Sequence, residues 1–230
     1  MSDLSSTPFQ LVLALLVFFF GALIALVIRR YFRTSSSRAL TLYGWHSFFC
    51  VVYFFYVVNY GGDATGYYHW SLVSDVDFKF GTLAVRIITS FFSQGLGLSL
   101  LGCSLVFQIF GFVGLLAFDS ALREVTWDKS RNIRRLATLI VFLPSISFWS
   151  SGLGKDSLSF FAMGLALWAA LSLKRRWWLL VISMSVMLLV RPHIAGLLGL
   201  GLAGSYVFQR GIPFLQRSIL GGIAAIAAIF

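Results

Sequence analysis

The chain has 230 residues, of which 59% are hydrophobic and only 11% are charged. An ordinary soluble domain carries about 25% charged residues, and a soluble core of this size could not hide so much apolar surface from water. Disorder requires low hydrophobicity and is excluded as well. We therefore expect an integral membrane protein.

The formal net charge is +10, from 18 Lys and Arg residues against 8 Asp and Glu residues. A large positive net charge often indicates nucleic-acid binding, but the Lys and Arg residues here occur in short clusters between apolar runs. Membrane topology explains that distribution better, and we expect no nucleic-acid partner. The two cysteines, Cys50 and Cys103, lie in apolar segments and are interpreted as packing residues.

A helix needs roughly 20 apolar residues to cross the hydrocarbon core of a bilayer. The apolar runs predict an all-α, polytopic transmembrane bundle of about eight spans, with residues 1–230 as a single transmembrane domain. The candidate spans are 9–28, 40–60, 96–118, 136–150, 157–173, 177–190, 194–209 and 217–230. The last run reaches Phe230 without a polar tail, which allows the chain to continue in a longer protein.

Basic residues divide unequally between the two alternating sets of connecting segments, fourteen against four. The positive-inside rule places the richer set in the cytoplasm. The N-terminus, the segments 61–95 and 151–156 and the turn at Arg191 are then outside. On the cytoplasmic side, residues 119–135 are expected to form a short amphipathic connector that faces anionic headgroups.

The first large outer loop carries polar residues in a pattern that favours a site. A glycine pair at 61–62 permits a turn, and Asp63 is expected to be a helix N-cap. Tyr67 would share a helical face with Asp63, and His69 follows in the same segment. The alternative is a capped interfacial helix with aromatic residues of the membrane belt.

Later in the same loop, residues 80–94 place Arg86 among apolar side chains. This pattern predicts an amphipathic helix in the outer interface. The alternative is an outward extension of the third span.

The second outer segment covers residues 144–157. Pro144 is expected to break the fourth span. Lys155 and Asp156 would stand at the start of the fifth span, where a helix N-terminus favours an anion. The alternative makes Asp156 a cap and Lys155 its solvated neighbour.

The third outer segment is the turn Arg191-Pro192-His193, which stands between apolar residues. An arginine at that depth is costly unless it snorkels, pairs or binds an anion. Simple snorkelling is the competing interpretation.

Within the second span, His46 is interpreted as a helix-to-helix hydrogen-bonding group.

Two acidic and three basic outer residues thus come from different loops of one small bundle. They are Asp63, Asp156, Arg86, Lys155 and Arg191. We expect that they meet in one pocket. A carboxylate with cations nearby suits activation of a hydroxyl while the cations hold a lipid-linked phosphate as leaving group.

The order of these motifs, over about residues 40–195, resembles the GT-C superfamily of polytopic membrane glycosyltransferases. In that superfamily the first large outer loop opens with an acidic motif, here Gly62-Asp63-Ala64, and amphipathic juxtamembrane helices follow. A later span carries a proline and leads to a short outer loop with a second acid, here Pro144 and Asp156. Some bacterial polysaccharide-assembly membrane proteins carry a similar Phe-Trp-x-Ser-Gly and Lys-Asp run, followed later by Arg-Pro.

The resemblance implies transfer of a sugar from a polyprenyl-phosphate donor on the outer face of a bacterial cytoplasmic membrane, in cell-envelope polysaccharide or glycoconjugate assembly. It implies Asp63 as the base on the acceptor hydroxyl, and Asp156 as the group that orients the acceptor or a divalent metal ion. Whether a metal cofactor is needed stays open, and no protein partner is inferred. The residues expected to bind substrate are Tyr67, His69, Arg86, Lys155, Arg191 and His193.

In this interpretation a GT-C-like module occupies residues 39–195. An extra N-terminal span precedes it in 1–38, and further spans follow in 196–230. Two other functions stay open. A polysaccharide polymerase or related handler of lipid-linked sugars would use similar outer cations. A non-catalytic scaffold or transporter is the other, although a transporter should carry polar residues at mid-membrane on broken helices.

Overall fold

The computed structural model describes residues 7–73 and 81–207, which fold into ten α-helices and contain no β-strand. The helices are α1 (Pro8–Ile28), α2 (Ser36–Tyr60), α3 (Asp63–Ser71), α4 (Thr82–Ser90), α5 (Leu100–Val125), α6 (Arg131–Val141), α7 (Pro144–Ser150), α8 (Lys155–Ala170), α9 (Leu173–Val190) and α10 (Pro192–Val207). A π-helical turn, Phe91–Gly95, follows α4 directly. The predicted all-α architecture is confirmed.

Four helical segments of the described chain are long and apolar enough to cross a membrane, which indicates a membrane protein. They are α1, α2, α5 and the α6–α7 pair, Arg131–Ser150. Helix α8, with 16 residues, is shorter than a full span, and α9 carries three cations in its first turn. Helix α10 covers most of the predicted span 194–209. The predicted span 217–230 lies outside the described residues.

Helix α5 forms the centre of the bundle and packs against α1, α2 and α8. It meets α8 where Gly114 faces Gly164, so closely that a Cβ added to Gly164 would lie 2.2 Å from the carbonyl oxygen of Gly114. Small residues at such crossings let helix backbones approach in a membrane. Beside the crossing, the buried side chains of Phe112, Leu115 and Trp168 belong to the largest apolar cluster of the described residues.

One end of α5 differs from the sequence prediction. The helix continues past residue 118 to Val125, and it carries Asp119 fully buried. The Asp119 carboxylate accepts hydrogen bonds from Arg38 at 2.6 Å and from Arg123 at 2.9 Å. The expected amphipathic connector over 119–135 is therefore wrong for its first residues, which belong to α5 and include the buried, ion-paired Asp119.

The predicted break before Pro144 is confirmed, since α6 ends at Val141 and α7 begins at Pro144. Proline is tolerated at the first position of a helix because its missing N–H would have no partner there.

Helix α4 is separate from α5, so the 80–94 segment does not extend the third span. The backbone leaves the π-helical turn through Gly97, whose φ of 67° suits glycine. At the start of α4 the Gly81 N–H donates to the carbonyl of Leu189 at 2.7 Å. This bond ties the start of α4 to the end of α9.

Candidate functional site

A cleft of about 220 Å³ lies where the ends of α2, α3, α8 and α9 meet, and we call it the Asp63 cleft. Its lining residues are Tyr53, Tyr56, Val57, Gly61, Gly62, Asp63, Tyr67, Trp149, Leu153, Gly154, Lys155, Asp156 and Arg191. The fold thus brings together five of the eight residues singled out by the sequence. Both carboxylates and two of the cations are among them, although they come from α3, from the start of α8 and from the junction of α9 and α10.

Asp63 is the first residue of α3 and not its N-cap, which corrects the sequence prediction. Gly61, with a φ of 77°, ends α2, and Gly62 occupies the cap position. The chain therefore turns one residue earlier than expected, and the Asp63 side chain makes no capping hydrogen bond. Its carboxylate is exposed and accepts no hydrogen bond from the described residues. The carboxylate is consequently accessible to a ligand in the cleft.

Asp156 and Arg191 form an ion pair in which Nη2 of the guanidinium donates to Oδ1 at 2.6 Å. Arg191 is the single residue between α9 and α10, and its N–H donates to the carbonyl of Met187. Pairing, and not snorkelling alone, therefore accommodates the Arg191 guanidinium. Within residues 7–73 and 81–207 the other N–H groups of this guanidinium have no hydrogen-bond partner.

Two helices begin at the cleft without a side-chain cap, α3 at Asp63 and α8 at Lys155. The hydroxyls of Thr65 and Ser157 donate to the cap carbonyls of Gly62 and Gly154, at 2.7 and 2.9 Å. Gly154 occupies the cap position of α8, which excludes the interpretation of Asp156 as a cap. First-turn N–H groups that no side chain satisfies, together with the helix dipole, favour an anion. Both helix starts add to the charge of Lys155 and Arg191.

The loop before α8 packs directly on an aromatic ring. A Cβ added to Gly152 would lie 2.1 Å from the ring of Tyr53, so the glycine lets the backbone lie flat against it. Leu153 beside it is almost fully buried. This packing determines where α8 begins, and so it positions Lys155 and Asp156 in the cleft.

Tyr67 lies one turn after Asp63 on the same helix, and both line the cleft as the i, i+4 spacing predicts. Burial raises the pKa of the Tyr67 hydroxyl above its ordinary value, and the negative charge of Asp63 raises it further. The phenol is therefore protonated near neutral pH. It can donate a hydrogen bond to an oxygen atom bound beside Asp63.

Three of the predicted site residues do not line the Asp63 cleft: His69, Arg86 and His193. Nε of Arg86 donates to the carbonyl of Trp70 at 2.7 Å, and this bond joins α4 to the end of α3. His69 on α3 and His193 in the first turn of α10 are both exposed.

An apolar groove of about 310 Å³ adjoins the cleft and shares Trp149 and Asp156 with it. Sequence reasoning missed this groove and the aromatic wall of the cleft. Tyr53 and Tyr56 lie 5.3 and 5.6 Å from the ring of Phe148, measured between ring centroids. Their i, i+3 spacing on α2, close before the glycine turn, was the signal that could have revealed the wall. The remaining groove residues are Ser145, Ile146, Ser150, Ser159, Phe160, Met163, Met187 and Ile194.

The described part of the chain contains no group of three or more His, Cys, Asp or Glu side chains that could hold a metal ion. Asp63 and Asp156 are the two carboxylates in the lining of the cleft. Their arrangement requires no metal for charge balance, because Lys155 and Arg191 accompany them.

Comparisons of the chain with protein-family models, with curated proteins and with solved structures found no match. The case for a function therefore rests on the cleft itself. Its informative features are an accessible carboxylate, two cations and two uncapped helix starts beside an apolar groove.

Proposed function

We propose that the protein is a membrane glycosyltransferase of the GT-C type, which transfers a sugar from a polyprenyl-phosphate donor to an acceptor hydroxyl in the Asp63 cleft. The observation that carries the proposal is the meeting of Asp63, Lys155, Asp156 and Arg191 in one cleft that adjoins an apolar groove. In the proposal the chain has about eight spans in a bacterial cytoplasmic membrane. The N-terminus and the cleft face outward, and the basic segments face the cytoplasm.

The donor phosphate lies between Arg191, Lys155 and the first turns of α3 and α8. Arg191 uses one N–H on Asp156, which aims the guanidinium and leaves its other donors for phosphate oxygens. Charge-assisted bonds of this kind are shorter and stronger than neutral ones. When the glycosyl–phosphate bond breaks, the phosphate gains negative charge. The same donors then stabilise the leaving group more than they stabilised the bound donor.

Asp63 acts as general base. The acceptor oxygen attacks the anomeric carbon, the bond from that carbon to the phosphate oxygen breaks, and its electron pair leaves with the phosphate. The proton of the acceptor hydroxyl passes to the Asp63 carboxylate, which no described side chain occupies. The protonated Tyr67 hydroxyl donates a hydrogen bond to the sugar or to the acceptor beside it. A positioned base of this kind contributes roughly a hundredfold to ten-thousandfold in rate.

The polyprenyl chain of the donor lies in the apolar groove beside α7, α8 and α10. The cleft alone, at about 220 Å³, is smaller than the roughly 300–1,000 Å³ of ordinary small-molecule sites. A donor must therefore extend beyond it, and the groove begins at the shared residues Trp149 and Asp156. Polar and apolar parts of one lipid-linked molecule match these two adjoining surfaces.

A transporter is the second candidate, and one observation favours it. His46, Gln108 and Ser147 are fully buried polar residues on α2, α5 and α7, and α7 belongs to a broken span. Such groups mark transport sites in many carriers. They line neither the Asp63 cleft nor the groove, however. The cleft holds the charged residues that a transfer reaction needs, and so we prefer the transferase.

Donor affinity in nanodiscs tests the phosphate site directly. Arg191→Lys keeps the charge but removes the planar pair of N–H donors. We expect binding of a synthetic polyprenyl-phosphate hexose to weaken about tenfold or more, because a hydrogen bond to a charged group contributes about 1.5–3 kcal/mol. Arg134→Lys is the matched control, an exposed arginine on α6 outside the cleft. Equal affinity of all three proteins would remove Arg191 from the donor site.

A further inference from the structure

A second polar cavity, of about 490 Å³, lies at the end of α5 opposite the Asp63 cleft, and we call it the Arg33 cavity. Its lining residues are Phe32, Arg33, Ser120, Arg123, Glu124, Trp127 and Trp168. They come from the turn after α1, from the ends of α5 and α8 and from the residues that follow α5. The proposed transfer reaction uses none of them.

Positive charge around this cavity exceeds negative charge. Asp119 accepts hydrogen bonds from both Arg38 and Arg123, and Glu124 pairs with Arg176 at 3.3 Å. The Arg33 side chain is exposed and has no ion pair or hydrogen bond with the described residues. Four guanidiniums therefore accompany two carboxylates. They are those of Arg33, Arg38, Arg123 and Arg176, against Asp119 and Glu124. A bound anion would reduce this excess.

A buried donor in the wall of the cavity also lacks an acceptor. Trp168 is 1% exposed, and its indole Nε1–H has no hydrogen-bond partner. The guanidinium of Arg176 covers the ring at 3.4 Å from its centroid and donates to the Trp168 carbonyl. Buried donors nearly always have partners in folded proteins. Because this N–H is closed off from the cavity, the wall contributes a rigid aromatic surface that Arg176 holds in place.

The backbone that carries Arg33 is held in an unusual conformation. Arg33 has a φ of 51°, which side chains larger than glycine rarely adopt. The Arg123 guanidinium donates to the carbonyls of Phe32 and Arg33, at 3.2 and 3.0 Å, and so fixes the turn. Backbone strain of this kind often accompanies a binding site. Here it places the unpaired Arg33 side chain at the rim of the cavity.

Exposed aromatic residues surround the same end of the bundle. Trp127 in the cavity wall is 80% exposed. Tyr31 and Trp178 are also exposed, and their ring centroids lie 5.9 Å apart. Aromatic residues of this kind collect at the headgroup level of membranes. These residues favour a lipid headgroup as the source of an anion in the cavity.

From these observations we infer that the Arg33 cavity binds the phosphate of an anionic phospholipid headgroup. Arg33 donates to the phosphate oxygens, and Trp127 packs against the glycerol backbone of the lipid. Arg123 and Arg176 stay on their carboxylate partners and hold the walls of the cavity in place.

Native mass spectrometry of the full chain, released from nanodiscs with equal amounts of phosphatidylglycerol and phosphatidylcholine, tests this site. We expect the wild type to retain phosphatidylglycerol selectively. Arg33→Asn should weaken that retention about tenfold or more, since it removes a charge-assisted donor, and asparagine tolerates the backbone conformation at this position. Trp127→Ala removes the exposed aromatic wall of the cavity, and it should also reduce retention. Arg175→Gln, an exposed arginine outside the cavity lining, should leave retention unchanged.

Retention equal to wild type in Arg33→Asn would overturn the assignment, whatever the result for Trp127→Ala. An equal loss in Arg175→Gln would overturn it too, because the attraction would then be unspecific. A second arm adds soluble glycerol 3-phosphate to the detergent-solubilised protein and measures thermal unfolding. Stabilisation equal to that by phosphatidylglycerol would show that the cavity takes a soluble phosphate ester and would refute the lipid.

Discussion

The close crossing of α5 and α8 predicts that enlarging Gly164 lowers the free energy of unfolding. In Gly164→Ala the new methyl group would lie 2.2 Å from the carbonyl oxygen of Gly114, where real contacts need more than 3 Å. The carbonyl oxygen of Gly114 belongs to the backbone of α5, so it cannot rotate away from the new methyl group as a side chain could. Overpacking of this kind costs about 1–3 kcal/mol, and we take the upper end. Replacing a glycine inside a helix by alanine stabilises the folded state by about 0.5–1 kcal/mol. The net loss in free energy of unfolding should be about 2 kcal/mol.

Gly44→Ala is the matched control, because it makes the same change in the interior of α2, where a Cβ meets nothing within 4 Å. This variant should be as stable as the wild type or more stable by up to about 1 kcal/mol. Reversible unfolding in mixed detergent micelles, followed by circular dichroism, compares the two variants. Equal free energies of unfolding for Gly164→Ala and Gly44→Ala would refute the close crossing.

Two further predictions concern ionisable groups. Asp119→Asn should lower the free energy of unfolding by about 3–5 kcal/mol, since it leaves two guanidiniums beside a buried neutral group. Asp128→Asn breaks only an exposed pair with Lys129 and should leave the free energy of unfolding close to that of the wild type. Equal effects of the two substitutions in the same unfolding assay would contradict the burial of Asp119. Tyr67 should ionise above the ordinary tyrosine pKa of 10.0, so its contribution to stability is present below pH 10 and is lost as the pH rises through the folded-state pKa. Absorbance titration against a Tyr67→Phe reference measures this ionisation. In Asp63→Asn the pKa of Tyr67 should fall, because the negative charge beside it is gone. An unchanged pKa of Tyr67 in that variant would contradict the interaction between the two residues.

Sequence reasoning succeeded where a local signal determines the structure. Apolar runs predicted the all-helical architecture, and Pro144 marked a break between two helices because its ring cannot continue a preceding helix. Asp63, Asp156 and Arg191 converge as expected, since residues at one end of a small bundle have little room to stay apart. The cap at Gly62 was missed because glycine competes with aspartate for that position and sequence alone does not decide between them.

Other features depend on contacts between distant parts of the chain. The buried position of Asp119 requires Arg38, which lies 81 residues earlier. A short-range pattern assigns such a charge to solvent, because a buried carboxylate is costly until its partners are known. The Arg33 cavity likewise joins the turn after α1 to the ends of α5 and α8. No local spacing predicts that meeting.

The most direct test of the account is sugar transfer by the purified Asp63→Asn protein in nanodiscs, assayed with a polyprenyl-phosphate hexose and a glycan acceptor. The substitution keeps the size of the side chain and removes the base. Release of polyprenyl phosphate should fall by roughly a hundredfold to ten-thousandfold, while donor affinity stays close to that of the wild type. Asp128→Asn, an exposed carboxylate outside the cleft, should transfer sugar at the wild-type rate. Transfer by Asp63→Asn at the wild-type rate, or no transfer by the wild type itself, would contradict the account.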